Sequence, residues 1–249
     1  MIRFAFVLLA FVVAASAVTP DVYLLMGQSN MAGRGNVEAE DRPNDPRLLV
    51  FDRDGKWANA SEPLHWDKPQ IAGVGPGLAF AKAMAAAQPG VTIGVVPCAV
   101  GGTPLSRWER NGDLYKATLA RAKAAAATGA LKGVIWHQGE ADSKPPLSTT
   151  YAERLQQMIR DLRADLGTPN LPVVVGELGT FLLGKKDGDA QTVNDALHAT
   201  AKALPQVACV ESQGLNHKGD VLHFDAPSQR EFGKRYAAAM LHLQKTPAP

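Results

Sequence analysis

Cysteine is scarce in this chain, and the scarcity excludes two classes of protein. Only two of the 249 residues are cysteine, too few for a small domain framed by several disulfides. Neither cysteine stands in a CxxC pair and no HExxH run occurs, so the sequence lacks the ligand spacings of zinc sites. We therefore expect no metal centre.

An excess of charge of one sign is also missing. The 26 Lys and Arg residues nearly balance the 24 Asp and Glu residues, for a formal net charge of +2. Because no run of basic residues occurs, nothing favours nucleic acid as a partner. The sequence has no GxxxxGK[ST], and its first strand turn lacks GxGxxG, which argues against a nucleotide-binding α/β protein.

Long hydrophobic runs are absent except at the amino terminus. One positive charge precedes an unbroken apolar run at residues 4–15, and Ala-Ser-Ala at 15–17 has the small-x-small pattern of a signal-peptidase site. The run is short for a membrane span, which needs about 20 residues. We predict a signal peptide at residues 1–17, a secreted or periplasmic protein and no membrane association after cleavage. An uncleaved anchor or an amino-terminal strand is the alternative.

Export bears on the two cysteines, Cys98 and Cys209, because disulfides form in oxidising compartments. Both stand in apolar, strand-like runs, VVPCAV and VACVES. Two core strands rarely bring a pair of sulfurs into bridging geometry, so we favour two buried small hydrophobic side chains. Pairing stays open at this point.

Apolar segments of strand length alternate with helical segments along the rest of the chain. Apolar residues make up 46% of the sequence, enough for a sizeable core. The predicted strands are residues 22–26, 48–51, 91–96, 133–137, 172–177 and 207–211. The predicted helices are residues 77–87, 114–127, 150–166, 191–204 and 229–243. The alternation predicts an α/β fold with a mainly parallel sheet covered by helices on both faces.

No repeat, low-complexity block or flexible linker divides residues 18–249, so we predict a single domain there. Three loops, at residues 34–47, 53–74 and 141–148, are long or unusually polar. Long loops are often functional, and ligands of open parallel sheets bind beyond the carboxyl ends of the strands. We expect the functional site at that edge.

Chemically active residues follow three of the predicted strands. The first strand runs into GQSN, which carries Ser29; the third runs into Gly101-Gly102; the fourth runs into WHQGE, which carries Gln138. Ester cleavage needs a nucleophile and hydrogen-bond donors aimed at the developing oxyanion. A hydroxyl, a bare glycine backbone and an amide at one sheet edge supply these groups.

The base that such a nucleophile needs appears near the carboxyl terminus, in GDVLHFD. Asp220 and His223 are three residues apart, a spacing that places two side chains on one face of a helical turn. His223 can take the proton of Ser29, and Asp220 can orient the imidazole. Taken singly, Ser29 is equally well explained as the cap of a helix beginning near Met31, and the glycines as a tight turn. The four features together favour catalysis.

Four sequence blocks resemble, in order, the signature blocks of the SGNH hydrolases: GQSNMAGRG, GGTPLSRW, WHQGEAD and DVLHFD. The resemblance is strongest to the branch that contains sialate O-acetylesterases and carbohydrate esterase family 6, including acetylxylan esterases. It extends from Val22 to about Arg235. It implies a three-layer α/β/α sandwich with a flavodoxin-like sheet, an acetylated carbohydrate as substrate and no cofactor.

The same resemblance implies roles for individual residues. Ser29 matches the nucleophile, Asp220 the acid and His223 the base. The implied oxyanion hole consists of the N–H groups of Ser29 and Gly102, with Gly101 as second choice for the glycine, and the side-chain amide of Gln138. The residues expected to support the site are Gln28, Asn30, His137 and Glu140, with Glu140 near the histidine or its loop.

The long loops add candidates for substrate binding. Aromatic faces stack on sugar rings, and Trp57, Trp66 and Trp108 lie in or beside these loops. For any single one of them we favour the alternative, a partly buried anchor for its loop. Arg34 follows the nucleophile by five residues and can contact substrate oxygens. Arg34 and Trp108 are our candidates.

Three other functions are compatible with the same residues. The site can serve an acyltransferase or a peptidoglycan O-acetylesterase, and a homologue without activity can bind carbohydrate. The intact set of Ser29, Asp220 and His223 argues against the inactive homologue. The glycan and the oligomeric state stay open at this point.

Overall fold

A computed structural model describes residues 19–185 and 188–246 of the chain. The predicted signal peptide at residues 1–17 lies outside the described residues. Among the described helices, none has both the length and the apolar character needed to cross a membrane.

A seven-stranded sheet forms the centre of the described structure. Its strands are β1 (Asp21–Gly27), β2 (Leu48–Phe51), β3 (Trp57–Asn59), β4 (Ile93–Pro97), β5 (Ala130–His137), β6 (Val173–Gly176) and β7 (Val207–Val210). Their order is β3-β2-β4-β1-β5-β6-β7. Every neighbouring pair is parallel except β2 and β3, which confirms the predicted mainly parallel sheet.

Helices cover both faces of the sheet. They are α1 (Ser29–Ala32), α2 (Pro76–Ala87), α3 (Asp113–Ala126), α4 (Tyr151–Leu166), α5 (Ala190–Ala203) and α6 (Ala226–Lys245). The apolar side chains of α2 and α6 pack in one hydrophobic cluster, and those of α3, α4 and α5 pack in another. The sheet separates the two clusters, so the fold is the predicted three-layer α/β/α sandwich.

Strand β1 shows why its sequence is apolar throughout. Val22, Leu24 and Met26 belong to one cluster, whereas Tyr23 and Leu25 belong to the other. Successive strand side chains point to opposite faces, and here both faces are covered by helices. Strand β1 therefore lies at the centre of the sheet, between β4 and β5. Its carboxyl end lies in the middle of the sheet edge at which the parallel strands end.

The structure differs from the prediction at one short strand and at the start of one short helix. Strand β3 falls inside the predicted loop 53–74; it has only three residues, two of them exposed, and it pairs antiparallel at the sheet edge. Its Trp57 packs over Gly94 of β4, where an added Cβ would lie 2.7 Å from the indole ring. Trp57 is thus an anchor for the edge strand. The four-residue helix α1 begins at Ser29 itself, two residues earlier than expected.

The two cysteines are free. Cys98 follows β4 directly and Cys209 lies in β7, strands that are four positions apart in the sheet. At about 4.8 Å per strand this separation is roughly 19 Å, far beyond the Cα distance of about 7 Å that a disulfide allows. Burial raises the pKa of Cys98 to about 11 and that of Cys209 to about 12, as expected for the favoured interpretation as packed, unreactive thiols.

Candidate active site

The site begins at the carboxyl end of β1, where Gly27 pairs closely with His137 of the neighbouring strand β5. Gly27 ends β1 with φ 131°, and a Cβ at this position would lie 2.0 Å from the carbonyl oxygen of His137. Only glycine fits such an approach and such a backbone angle. The chain then turns at Gln28 directly into α1, which places Ser29 on the first helical residue at the carboxyl edge of the sheet.

The hydroxyl of Ser29 meets the imidazole predicted as its base. Ser29 Oγ lies 3.0 Å from His223 Nε2, and His223 Nδ1 lies 2.7 Å from Asp220 Oδ2. The structure thus brings together two residues that are 194 positions apart in the sequence. The distances are those of a nucleophile, a general base and an orienting carboxylate that form one hydrogen-bonded chain.

Asp220 is fixed by its own loop as well as by the imidazole. Its Oδ1 accepts hydrogen bonds from the backbone N–H groups of Leu222 and His223, at 3.0 and 2.8 Å. Burial alone would raise the pKa of Asp220, but the hydrogen bonds that His223 and Leu222 donate more than offset it and lower the pKa to about 2. The carboxylate therefore stays ionised beside the imidazole.

The loop that carries Asp220 and His223 contains a strained residue. Val221 has φ 54°, a left-handed conformation that costs a β-branched residue on the order of 1–3 kcal/mol. The loop is held in this shape because Lys185 Nζ donates to the carbonyl of Val221 at 2.6 Å and His217 Nδ1 accepts from the N–H groups of Gly219 and Val221. The short turn lets the acid and base point the same way.

Asn30 connects the nucleophile helix to the loop of the base. Its Nδ2 donates to the carbonyl of Leu222 at 3.1 Å, and its Oδ1 accepts from the N–H of Phe224 at 3.1 Å. These two bonds flank His223 on both sides. Nδ2 also donates to Glu140 Oε1 at 2.6 Å. Asn30 is 1% exposed, so these bonds have no competition from water.

Two further supporting residues, Glu140 and His137, lie buried beneath Asn30. We call the contacts of Asn30 with Leu222, Phe224 and Glu140 the Asn30 clamp. Glu140 Oε1 lies 3.6 Å from His137 Nε2. Burial by itself would raise the pKa of Glu140, but the imidazole of His137 and the amide of Asn30 lower it overall. The hydroxyl of Tyr236 donates to the carbonyl of Trp136, which leaves its oxygen to accept from His137 Nδ1 at 3.3 Å. Glu140 therefore acts on the site by holding Asn30.

The glycine loop after β4, Gly101-Gly102, differs between its two N–H groups. The N–H of Gly101 donates to Asp67 Oδ2 at 2.7 Å, so Gly101, the second choice, is not available to a ligand. The N–H of Gly102 donates to no described group, and Gly102 is exposed with φ 76°. Because Ser29 stands in the first turn of α1, its N–H has no helical acceptor either. Gly102 and Ser29 thus remain as backbone donors.

Gln138 does not reach a ligand, which corrects the prediction that its amide completes the oxyanion hole. The side chain is fully buried, and its Nε2 donates to Asp142 Oδ2 at 2.6 Å and to the carbonyl of Thr103 at 3.0 Å. Its Oε1 accepts from Tyr151 at 2.8 Å. Both amide hydrogens are committed to protein acceptors, and a reversed amide would set two oxygens against each other. Gln138 instead ties the glycine loop to β5.

The two substrate-binding candidates are also corrected. The guanidinium of Arg34 is almost fully buried and pairs with Asp67, with Nη2 2.6 Å from Oδ2. Arg34 therefore braces the carboxylate that holds Gly101, and it has no access to substrate. Trp108 is fully buried, meets Trp136 edge-on with ring centroids 5.4 Å apart, and donates to the hydroxyl of Thr103. It is a core residue under the glycine loop.

Two aspartates that brace the site have little or no signal in the sequence. Asp67 lies inside the long loop 53–74 with no motif around it. Asp142 closes the WHQGEAD block, and its Oδ2 also accepts from the N–H of Leu105 at 2.8 Å. The position of Asp142 in that block was the one available signal. In the described portion of the chain, no group of three or more His, Cys, Asp and Glu side chains is arranged to hold a metal ion.

Comparisons with known proteins agree with this fold and show the family. A family model described as "Carbohydrate esterase, sialic acid-specific acetylesterase" matches residues 19–242. A protein of Arabidopsis thaliana named "Probable carbohydrate esterase" is 33% identical over 240 residues, which cover 88% of this chain and 90% of that protein. Its solved structure has a TM-score of 0.82 and covers 90% of this chain and 98% of the other.

Two further solved structures extend the comparison. A carbohydrate acetylesterase from Xanthomonas citri is 25% identical with a TM-score of 0.68, and the match covers 90% of this chain and 56% of that one. NanS is 19% identical with a TM-score of 0.71 and covers 93% of this chain and 99% of its own. The second likeness concerns the fold alone.

Loss of the Asn30 side chain should destabilise the loop that carries His223. In Asn30→Ala, the N–H of Phe224 and the Glu140 carboxylate lose a buried partner, so we expect the free energy of unfolding to fall by roughly 1–3 kcal/mol. The amide hydrogen of Phe224 should also exchange faster. Both are measured by urea unfolding and hydrogen exchange, with the exposed Asn170→Ala as the matched control. Unchanged exchange at Phe224 would contradict the clamp.

The low pKa of Asp220 predicts a stability contribution that is lost only in strong acid. Because the folded-state pKa of about 2 lies below the ordinary value of 3.8, ionised Asp220 stabilises the fold above about pH 4, and this contribution disappears as the pH falls from 4 to 2. The carboxyl carbon resonance of Asp220 should titrate with a midpoint near 2. Asp220→Asn should lower stability at neutral pH but match the wild type at the acid end. A midpoint near 4 would disprove the hydrogen-bonded arrangement.

Proposed function

Because the chain belongs to the sialic acid-specific acetylesterase family of carbohydrate esterases, we propose that it removes O-acetyl groups from sugars with Ser29 as nucleophile. The single observation that carries this proposal is the hydrogen-bonded chain Ser29–His223–Asp220, with distances of 3.0 and 2.7 Å. A carbohydrate-binding homologue without activity would not need these three hydrogen-bonded side chains.

The acylation step follows from these contacts. His223 Nε2 accepts the Ser29 proton while Oγ forms a bond to the acetyl carbonyl carbon, and the carbonyl π electrons move onto oxygen. Ionised Asp220 holds the imidazole by Nδ1 and stabilises the positive charge that develops on it. When the intermediate collapses, the C–O bond to the sugar breaks and His223 returns the proton to the departing sugar oxygen.

The oxyanion is stabilised by fixed donors at the same edge. The N–H groups of Ser29 and Gly102 have no acceptor among the described residues, and they are placed by the helix start and by the braced glycine loop. Preorganised donors of this kind contribute a large share of catalysis because they need no rearrangement during the reaction.

Deacylation reuses the same groups. A water molecule gives its proton to His223 Nε2 and attacks the acetyl-Ser29 carbonyl, and collapse releases acetate and restores the serine hydroxyl. An acyltransferase would replace this water with an acceptor hydroxyl. Release of free acetate in water, compared with formation of a new acyl sugar, distinguishes the two activities.

A cavity at the loop that carries His223 supports the choice of an acidic sugar. The cavity has a volume of about 250 Å³ and is lined by residues that include Glu140, Leu182 and Leu222, with Lys144 and Lys185 at its wall. Leu222 precedes His223 in the sequence, and Glu140 accepts from Asn30, which holds the same loop. Two ammonium groups suit a sugar with a carboxylate, so between the acetylated sialic acids and acetylated xylan we propose the sialic acids.

The amino-terminal residues 1–17 supply the proposed location. Their charge, apolar run and small-x-small end are typical of a signal peptide, and we propose a secreted or periplasmic enzyme. Mass spectrometry of the exported protein should find an amino terminus at Val18.

Replacing the nucleophile should remove turnover without harming the fold. For Ser29→Ala we expect the rate on an aryl acetate to fall by a factor on the order of 10⁴ or more, because no other group can form the acyl-enzyme. The assay is initial-rate spectrophotometry together with circular dichroism. Ser106→Ala, an exposed serine in a neighbouring loop, should keep full activity. Turnover of Ser29→Ala at the wild-type rate would refute the mechanism.

Removing a charge from the cavity should affect acidic substrates selectively. A partly solvated ion pair contributes about 0.2–1 kcal/mol, so Lys144→Gln should lower kcat/KM on an O-acetylated sialic acid about 1.4- to 5-fold. The effect should shrink at high salt, and the rate on acetylated xylo-oligosaccharides should not change. Lys116→Gln on the exposed side of α3 is the matched control. Equal losses on both substrates would contradict the acidic-sugar proposal.

A further inference from the structure

An ammonium group lies close to the glycine loop that carries the backbone donor Gly102. A Cβ atom added to Gly102 would lie 4.0 Å from Nζ of Lys68. The Cβ and the backbone nitrogen of one residue are both bonded to Cα, and with bonds of about 1.5 Å they are about 2.5 Å apart. The ammonium of Lys68 therefore lies within about 6.5 Å of the Gly102 nitrogen.

The positive charge of Lys68 is not neutralised by a neighbouring carboxylate. The side chain is exposed, and among the described residues no carboxylate forms a salt bridge with it, although two other lysines have such partners. Asp67, its neighbour in the sequence, is bound instead to Arg34, with Nη2 2.6 Å from Oδ2. Because the charges of Arg34 and Asp67 offset each other, Lys68 adds one net positive charge on this side of the glycine loop.

The backbone on both sides of Lys68 is fixed to the active site. Before it, Asp67 accepts from the N–H of Gly101 at 2.7 Å. After it, the N–H of Gly73 donates to the carbonyl of Gly33, behind the nucleophile helix, at 3.2 Å. The lysine stem is flexible, but it begins at a backbone position that the glycine loop and the nucleophile segment both hold.

The proposed reaction places a new negative charge near this ammonium. In acylation and again in deacylation, the acetyl oxygen becomes an oxyanion about 2.7–3.1 Å from its backbone donors, of which Gly102 is one. An ammonium at this distance from the Gly102 N–H acts on that oxygen within the Debye length of about 8 Å at physiological salt. The uncharged ester lacks this charge, so the attraction favours the transition state over the bound substrate.

We propose that the ammonium of Lys68 stabilises the oxyanion that forms beside the N–H of Gly102. This inference rests on the proposed esterase function. It differs from the role proposed for Lys144 and Lys185, which concerns the carboxylate of an acidic sugar. The charge on which Lys68 acts develops on every acetyl ester, whether the rest of the substrate is charged or neutral.

Removal of the charge should slow the hydrolysis of a neutral aryl acetate. Lys68→Met keeps an apolar stem and loses the ammonium. Two unit charges about 6 Å apart interact strongly enough to change a rate roughly 3-fold in bulk water and roughly 100-fold at an effective dielectric constant of about 20. Because Lys68 is exposed, we expect kcat to fall about 3- to 10-fold. KM should change little, since acylation and deacylation pass through the same oxyanion.

Three further variants identify the charge as the cause. Lys68→Arg keeps the charge and should retain most of the wild-type rate. Lys68→Glu reverses the charge and should lose about the square of the Lys68→Met factor, roughly 10- to 100-fold. These losses should shrink at 1 M salt, where the Debye length is about 3 Å. Lys116→Met, on the exposed side of α3, is the matched control and should keep the full rate.

Three results would overturn the assignment of Lys68. One is a wild-type rate of Lys68→Met on the neutral ester. A second is an equal loss in Lys68→Arg and Lys68→Met, which would show that the charge is not the cause. The third is a loss confined to an O-acetylated sialic acid, which would assign Lys68 to the carboxylate of the substrate. Urea unfolding midpoints confirm that the compared variants are folded.

The proposed function itself is judged separately. If Ser29→Ala still turns over the aryl acetate, the esterase mechanism fails irrespective of Lys68. If Ser29→Ala is inactive and Lys68→Met hydrolyses the aryl acetate at the wild-type rate, the mechanism stands and only the assignment of Lys68 fails.

Discussion

The site depends on the side chain of Asn30, which joins the helix after β1 to the loop that carries His223. Asn30 holds the backbone on both sides of His223, through the carbonyl of Leu222 and the N–H of Phe224, across more than 190 residues of sequence. Its own carbonyl accepts from Gln229 Nε2 of α6 at 2.9 Å. Because Asn30 is next to the nucleophile in a short helix, a fixed Asn30 also fixes the distance between Ser29 and its base. The arrangement is preorganised in this sense.

The glycine loop is governed by a second constraint of the same kind. Asp67 accepts from the N–H of Gly101 at one end of the loop, and Asp142 accepts from the N–H of Leu105 at the other. Each carboxylate is paired with a cation, Asp67 with Arg34 and Asp142 with Arg154, and Asp142 also accepts from Gln138. Burying such groups is costly unless they are paired. The cations offset the cost of burying the two carboxylates. The carboxylates in turn hold the loop in place and leave the N–H of Gly102 free to donate to a ligand.

Features that depend on neighbouring residues could be predicted from the sequence, whereas features that depend on contacts between distant residues could not. The strands and helices were predicted well because burial of both strand faces gives continuous apolar runs. The three residues of the triad were predicted because each lies in a recognisable block. The assignments of Arg34, Trp108 and Gln138 failed because burial is decided by long-range packing. Asp67 had no local signal, since its role exists only where a distant loop meets Gly101.

The errors share a physical cause. A polar side chain near a nucleophile can act on the substrate only if its donors are not already satisfied by protein. Gln138 and Arg34 have their donors satisfied by carboxylates and carbonyls. Chemical type and position in a motif do not distinguish a free donor from a satisfied one. Accounting for every hydrogen of each buried side chain does, and it removes both residues from contact with the substrate while leaving the triad unchanged.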